Sequence, residues 1–170
     1  MKLAIDVHHH SAGGATAAAV AFEAWDAFEP LRSFSTRIAH VEPAPRGGQL
    51  NLRDLPCMLQ LLREHALAPE LIVINGAVHL DAQETPGLGQ HLFHALGGQI
   101  AIVGVCKTAL PGLPAQFELI REEETRPLII SCAGIDLGAA KARVRGMHGK
   151  RRVPTLMKLV ARLAKGTAAA

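Results

Sequence analysis

An aspartate inside an apolar strand is the first residue of this chain that asks for a chemical explanation. Asp6 lies in the run Leu3-Ala4-Ile5-Asp6-Val7, and an ionised carboxylate is costly to bury unless a cation or hydrogen-bond donors compensate it. A divalent metal is one such compensation. Hard oxygen donors such as Asp6 and Asp54 suit Mg²⁺ or Mn²⁺, which hold substrate phosphates and activate water for phosphodiester cleavage. The structural alternatives are that Asp6 caps a turn near Ala12–Gly14 and that Asp54 is a first-turn helix acid favoured by the dipole. Lys107 follows an apolar run, placed either to meet a phosphate as a point charge or to leave the sheet for solvent.

The other candidate ligands are weaker. In His8-His9-His10, successive side chains on an extended chain point to opposite sides, so only His8 and His10 could converge, and a solvated turn is the expectation. His91 and His94 are three apart on a helix face and are expected to be satisfied or exposed. His79 and Asp81 follow the Asn75-Gly76 turn and rank above the other candidates outside the strand ends. Cys57, Cys106 and Cys132 are odd in number and far apart, so they form neither a disulfide framework nor a metal knuckle, and buried reduced thiols are expected. The Ser11-Ala12-Gly13-Gly14 turn could cradle a phosphate of a small molecule, but it opens no helix and matches neither a P-loop nor GxGxxG.

These residues need a scaffold, and periodicity supplies one. Lys2–Val7, Ala15–Trp25 and Leu31–Val41 read as three strands of an antiparallel meander. After the break at Pro43–Gly48, Asn51 is expected to cap a helix through Arg63, with Leu52, Leu55, Leu59 and Leu62 inward. Strand and helix then alternate: strand Leu71–Asn75, helix Leu88–Leu96, strand Ile100–Cys106, a loop at Pro111–Pro114, strands Phe117–Arg121 and Leu128–Cys132, and helix Asp136–Arg145. Pro154 is expected at the first position of a last helix, with Lys158, Arg162 and Lys165 outward and Gly166 as the stop. The Ala168–Ala170 end is expected to fray. This order predicts a single α/β domain over 1–170, a mixed sheet with helices on both faces whose first strand is central and neighbours Leu71–Asn75. Working residues in such sheets collect at the carboxyl ends of the parallel strands, which selects Asp6, Asn75, Lys107 and the pair Ser131/Cys132, with Asp54 at the helix start.

At 49% hydrophobic and 19% charged over 170 residues, the chain can bury a core, which excludes disorder. It has neither an uninterrupted membrane-length apolar run nor a signal-peptide pattern, so a soluble, cytoplasmic protein without a membrane partner is expected. An aromatic content of 4% with no Tyr argues against a platform that stacks bases on exposed rings. The net charge of +3 hides a division. Residues 1–136 hold nine Lys+Arg and all fifteen Asp+Glu, whereas residues 137–170 hold nine Lys+Arg and no acid. Arg151, Arg152, Lys158, Arg162 and Lys165 in that tail suit a polyanion such as DNA or RNA, by phosphate contact and counterion release; the alternative is a solvated helix face.

The order of these motifs resembles endonuclease V. The resemblance rests on Asp6-Val7 in the first strand, the run Gly48–Pro56, the stretch Pro69–Gly76, the segment Ile102–Lys107 and Arg151-Arg152-Val153-Pro154. It covers essentially the whole chain, with the signal in order and spacing rather than in one motif. It implies a ribonuclease-H-like fold and Mg²⁺-dependent cleavage of a nucleic-acid strand just 3′ to a deaminated base such as hypoxanthine. Under that resemblance Asp6 takes the place of the first-strand metal aspartate, Asp54 that of the helix-start glutamate, and Lys107 that of the lysine near the reacting phosphate. Asn75 stands where the family has a second metal-binding aspartate. Cys132-Ala133-Gly134 lacks the family's histidine, and Pro43-Ala44-Pro45-Arg46-Gly47 lacks the aromatic of the wedge that opens the base stack. His79, Asp81 or Asp136 could supply a missing ligand from neighbouring loops; alternatively the chain is a catalytically silent relative that binds nucleic acid or protein.

Overall fold

The computed structural model describes residues 1–44, 46, 49–121 and 124–167. Lys2–His9 (β1), Ala15–Phe22 (β2) and Arg32–Ile38 (β3) form the expected antiparallel meander. β1 pairs in parallel with Leu71–Asn75 (β4), which pairs in parallel with Ala101–Cys106 (β5). Glu118–Leu119 (β6) is a two-residue edge strand on Leu128–Ala133 (β7), and β7 runs antiparallel to β5. The sheet order is β3-β2-β1-β4-β5-β7-β6, with β1 beside β4 as the sequence predicts.

Strand alternation decides which face each residue serves. Leu3, Ile5, Ile72, Ile74 and Ile102 pack with Asp54–Glu64 (α1) and Leu88–Ala95 (α2) on one face. Ala4, Val73, Val103 and Val105 pack on the other face with Leu137–Arg145 (α3) and Thr155–Lys165 (α4). The alanines of β2 serve both: Ala17 and Ala19 face α1, and Ala18 faces α4. Small side chains on both faces let helices approach the sheet closely, and α4 lies across β1 and β2.

Several boundaries differ from the sequence reading. β2 stops at Phe22, and Trp25 turns back to place its ring edge-on to Phe22 at 5.3 Å. Asn51 is not a cap; Leu50–Arg53 is a 3₁₀ turn and Asp54 opens the α-helix. The buried stripe of α1 is Cys57, Met58, Leu61 and Leu62, with Leu52, Leu55 and Leu59 only at its margin. Pro154 precedes α4 in extended conformation rather than occupying its first turn. Gly166 does stop that helix: its φ of 81° is left-handed, and the Gly166 and Thr167 amides donate back to Leu163 and Arg162. Ala168–Ala170, expected to fray, lie outside the described residues. No helix among the described residues is long and apolar enough to cross a membrane.

Candidate active site at the ends of the parallel strands

Asp6, Asn75 and Lys107 share a face because each has the parity of a residue already placed there. Asp6 is two residues beyond Ala4, Asn75 two beyond Val73, and Lys107 two beyond Val105, all three of which pack on the α4 face. Register brings them level: Ile5 pairs with Ile74, and Asn75 pairs with Val105. The Asn75 side-chain amide donates to the Asp6 carboxylate, whose Oδ1 also accepts from the Val7 amide at 2.9 Å. Burial nevertheless raises the Asp6 pKa above its ordinary value, the bonds from Val7 and Asn75 and the charges of Lys107 and Lys165 offsetting only part of that cost.

Asp54 reaches the same place from α1. Its carboxyl is also pushed up, first by burial; the Asp6 charge adds to the rise, while His9 and Arg53 oppose it. The two acids therefore feel each other across the end of the sheet. His9 Nε2 lies 2.5 Å from Asp54 Oδ1. His9, the middle member of the triplet, is not among the expected site residues, yet alternation points to it: His9 has the parity of Leu3 and Ile5, which face α1, the helix Asp54 begins. His8 and His10 instead meet edge to face at 5.0 Å, and His10 Nε2 lies 2.8 Å from Thr16 Oγ1.

The turn that presents Asn75 is packed tightly. A side chain at Gly104 would place its Cβ 2.5 Å from the Gly76 carbonyl oxygen, so the chain after β4 can fold over β5 only because residue 104 is glycine. Ser131, fully buried, accepts from the Val78 amide at 2.8 Å and tethers the same turn. This corrects the strand-end expectation for Ser131 and Cys132. β7 is antiparallel, pairing Ala133 with Ile102, so its carboxyl end emerges at the opposite end of the strands, beside the start of β5. Cys132 Sγ lies 3.1 Å from the Ile135 carbonyl there. Cys57 is buried and its thiol is raised to about 11, whereas Cys106 and Cys132 are only half-buried, contrary to expectation.

The loop candidates are engaged elsewhere. Asp81 accepts from the Gln83 and Thr85 amides and the Thr85 hydroxyl, which holds its carboxyl below the usual range. His79 pairs with Gln90 at 3.0 Å, and Gln90 with His94 at 2.9 Å, a chain along α2. Asp136 caps α3 by accepting from the Ala139 amide, beyond the far end of β7. Among the described residues no three His, Cys, Asp or Glu side chains converge on one point. Asp6, Asp54 and Asn75 together still offer two carboxylates and an amide carbonyl, an all-oxygen donor set that fits a hard divalent cation with one charge fewer than three acids would give. Of the wedge-equivalent segment, Pro45 and Gly47 lie outside the described residues.

The basic segment divides. Arg152 donates to the carbonyls of Pro127, at 2.8 Å, and of Lys107, so it secures the chain that carries Lys107. Arg151 is 4.0 Å from Glu124. Lys158, Arg162 and Lys165 are exposed and, with Lys107 and Asn75, line a cavity of about 320 Å³ between α4 and the ends of β4 and β5. Arg121, expected at the end of strand Phe117–Arg121, is 3% exposed and donates to the carbonyls of Met147, Gly149 and Arg151. Nothing in its sequence neighbourhood signals that role.

No protein-family model matches the chain, and no curated protein matches it in sequence. Solved structures do match. The Bacillus subtilis endonuclease V structure superposes with a TM-score of 0.75 at 16% identity, over 97% of this chain and 78% of that one. The Streptomyces avermitilis endonuclease V gives 0.73 at 22% identity, over 96% and 79%. A Ciona intestinalis endonuclease V, bound to a 23mer DNA containing an inosine followed by a ribo-adenosine, gives 0.73 at 17%, over 97% and 83%. The chain is therefore endonuclease V-like in fold.

Proposed function

We propose that this protein is a metal-dependent phosphodiester hydrolase that nicks a nucleic-acid strand beside a deaminated base. The observation that carries the reading is the pairing of Asp6 with Asp54. Two desolvated carboxylates, one raising the pKa of the other, are an arrangement that costs stability unless a cation is shared between them. Asp6 and Asp54 would hold Mg²⁺ or Mn²⁺, with Asn75 giving a neutral oxygen once its amide turns. When bound, such a cation polarises a phosphoryl oxygen and lowers the pKa of an attacking water. His9 holds one oxygen of Asp54 and so limits how that carboxylate can turn. Lys107, its backbone carbonyl held by Arg152, offers a positive charge to a phosphate oxygen at the rim. The inosine-containing DNA bound by the Ciona protein supports a deaminated base as the mark recognised.

The test is cleavage of labelled single- and double-stranded DNA and RNA, with and without one inosine, in Mg²⁺ or Mn²⁺. Nicking next to the inosine is expected, and Asp6→Asn or Asp54→Asn should reduce it at least about 100-fold, the scale of removing a metal carboxylate. Parent and Asp6→Asn cutting alike would sink the proposal.

A second reading, a catalytically silent nucleic-acid binder, is favoured by one specific observation. Asn75 stands in hydrogen-bonding contact with Asp6, and Lys165 acts on the same carboxylate, so an amide donor and an internal cation partly compensate the acid. Asn75→Asp separates the two. If the site takes metal, the added charge should tighten Mn²⁺ binding about tenfold or more in calorimetry and raise nicking; in the silent reading the parent binds nucleic acid, takes up no Mn²⁺ and does not cut.

A further inference from the structure

We propose that the cavity between α4 and the ends of β4 and β5 is a nucleotide pocket that takes a nucleoside monophosphate. The basic stripe of α4, expected from sequence to present a face to any polyanion backbone, is instead one wall of a half-open cavity. Its cations Lys158, Arg162 and Lys165 meet Lys107 across that space. Lys107 and Lys165 are partly answered by the charge of Asp6, whereas among the described residues Lys158 and Arg162 are in no ion pair. That leaves an excess of positive charge suited to a phosphate of about two negative charges.

The rest of the lining is not what a phosphate alone needs. Val105, Val153, Met157 and Ala161 form an apolar floor, and a bare inorganic anion gains nothing from covering it. At about 320 Å³ the space falls within the range of small-molecule sites, roughly 300 to 1,000 Å³, which combine an apolar lining with a few polar anchors. A nucleoside phosphate supplies both halves, its phosphate to the cations and its sugar or base to the valines and the polarisable thioether of Met157. The same chemistry is carried by a free mononucleotide and by the 5′-phosphorylated end of a strand. Asn75 and Lys107 also line the pocket, so the proposal rests on the same strand ends as the cleavage reading and deepens it by naming the nucleotide unit held beside them.

The experiment is calorimetric titration of the full chain, in EDTA, with AMP, adenosine and inorganic phosphate. AMP should bind at least tenfold more tightly than either fragment. Ala161→Leu enlarges a floor residue and keeps all four cations; it should abolish the preference for AMP over phosphate. Arg162→Glu, at an exposed position, should weaken AMP at least tenfold, and circular dichroism melting confirms that both variants are folded. A 5′-phosphorylated dinucleotide decides the source: tighter than AMP, it assigns the pocket to strand ends, and weaker, to free nucleotide. AMP binding no better than phosphate would overturn the proposal, as would a folded Ala161→Leu that binds AMP like the parent. Since a metal-dependent hydrolase is silent in EDTA, loss of cleavage and loss of nucleotide binding are read independently.

Discussion

Arg152 and Lys158 belong to the same basic segment and carry the same charge, but the fold puts them to opposite use. Arg152 turns inward and spends its guanidinium on the carbonyls of Pro127 and Lys107, while Lys158 remains at the rim of the cavity with its ammonium exposed. The planar, multi-donor guanidinium suits several fixed backbone acceptors at once, whereas an ammonium on a flexible stem suits a ligand that comes and goes. Arg121 carries the first use furthest: it has three carbonyl acceptors within the segment 147–151 and almost no exposure. Cations that hold loops together and cations that await an anion are thus interleaved along one stretch of chain, so a count of basic residues overstates the binding surface.

The distinction is open to attack first at Arg121. Arg121→Ala strips donors from three carbonyls at once, and an expected loss of about 3 kcal/mol or more should appear as a lower urea midpoint. If the variant is as stable as the parent, Arg121 does not organise the loop. Arg152→Ala should follow with a smaller loss of about 1 to 2 kcal/mol, its site being half-exposed. Should it leave stability untouched and weaken nucleic-acid binding as strongly as Lys158→Ala does, the two classes collapse into one.

A pH titration sharpens the picture from the side of the acids that face these cations. The folded-state pKa of Asp6 lies above 3.8, so the folded protein holds that proton more tightly than the unfolded chain does. Stability is therefore lower once the group ionises, and recovers as pH falls from neutral toward about 4. Asp6→Asn lacks this contribution. Its advantage in melting temperature over the parent should be largest at neutral pH and shrink on acidification; an advantage that grows instead would show that the carboxylate is net stabilised by its lysines. The smallest effect on stability is expected for the double variant Lys158→Glu, Arg162→Glu, whose melting should match the parent. Its signature lies in salt dependence. Three exposed cations on α4 predict a slope of log K against log[salt] of about −2.7 on duplex DNA, and the variant should fall to about −1 or bind too weakly to measure. A slope that does not change returns α4 to a solvated face.

The element order and its local chemistry were legible in the sequence because they rest on short-range physics. Alternation marks Lys2–Val7 as a strand and a short apolar run marks Leu71–Asn75, a helical period marks 154–165, and Gly166 closes that helix since a left-handed residue there favours glycine. The acid in an apolar strand and the amide at the next strand end were visible the same way, and Asp6 and Asn75 do meet. What the tertiary structure alone decided concerns direction and distance. The antiparallel course of β7 carries Cys132 away from the site and leaves Ser131 holding the Val78 amide behind it, and no local pattern distinguishes a parallel from an antiparallel buried strand. His9 gains its role only because α1 begins over that face of β1. The separate duties of Arg121 and Arg152 are set by which carbonyls lie within reach across 25 to 45 residues of chain. A long side chain carries the same charge wherever it stands, and only packing fixes what stands beside it.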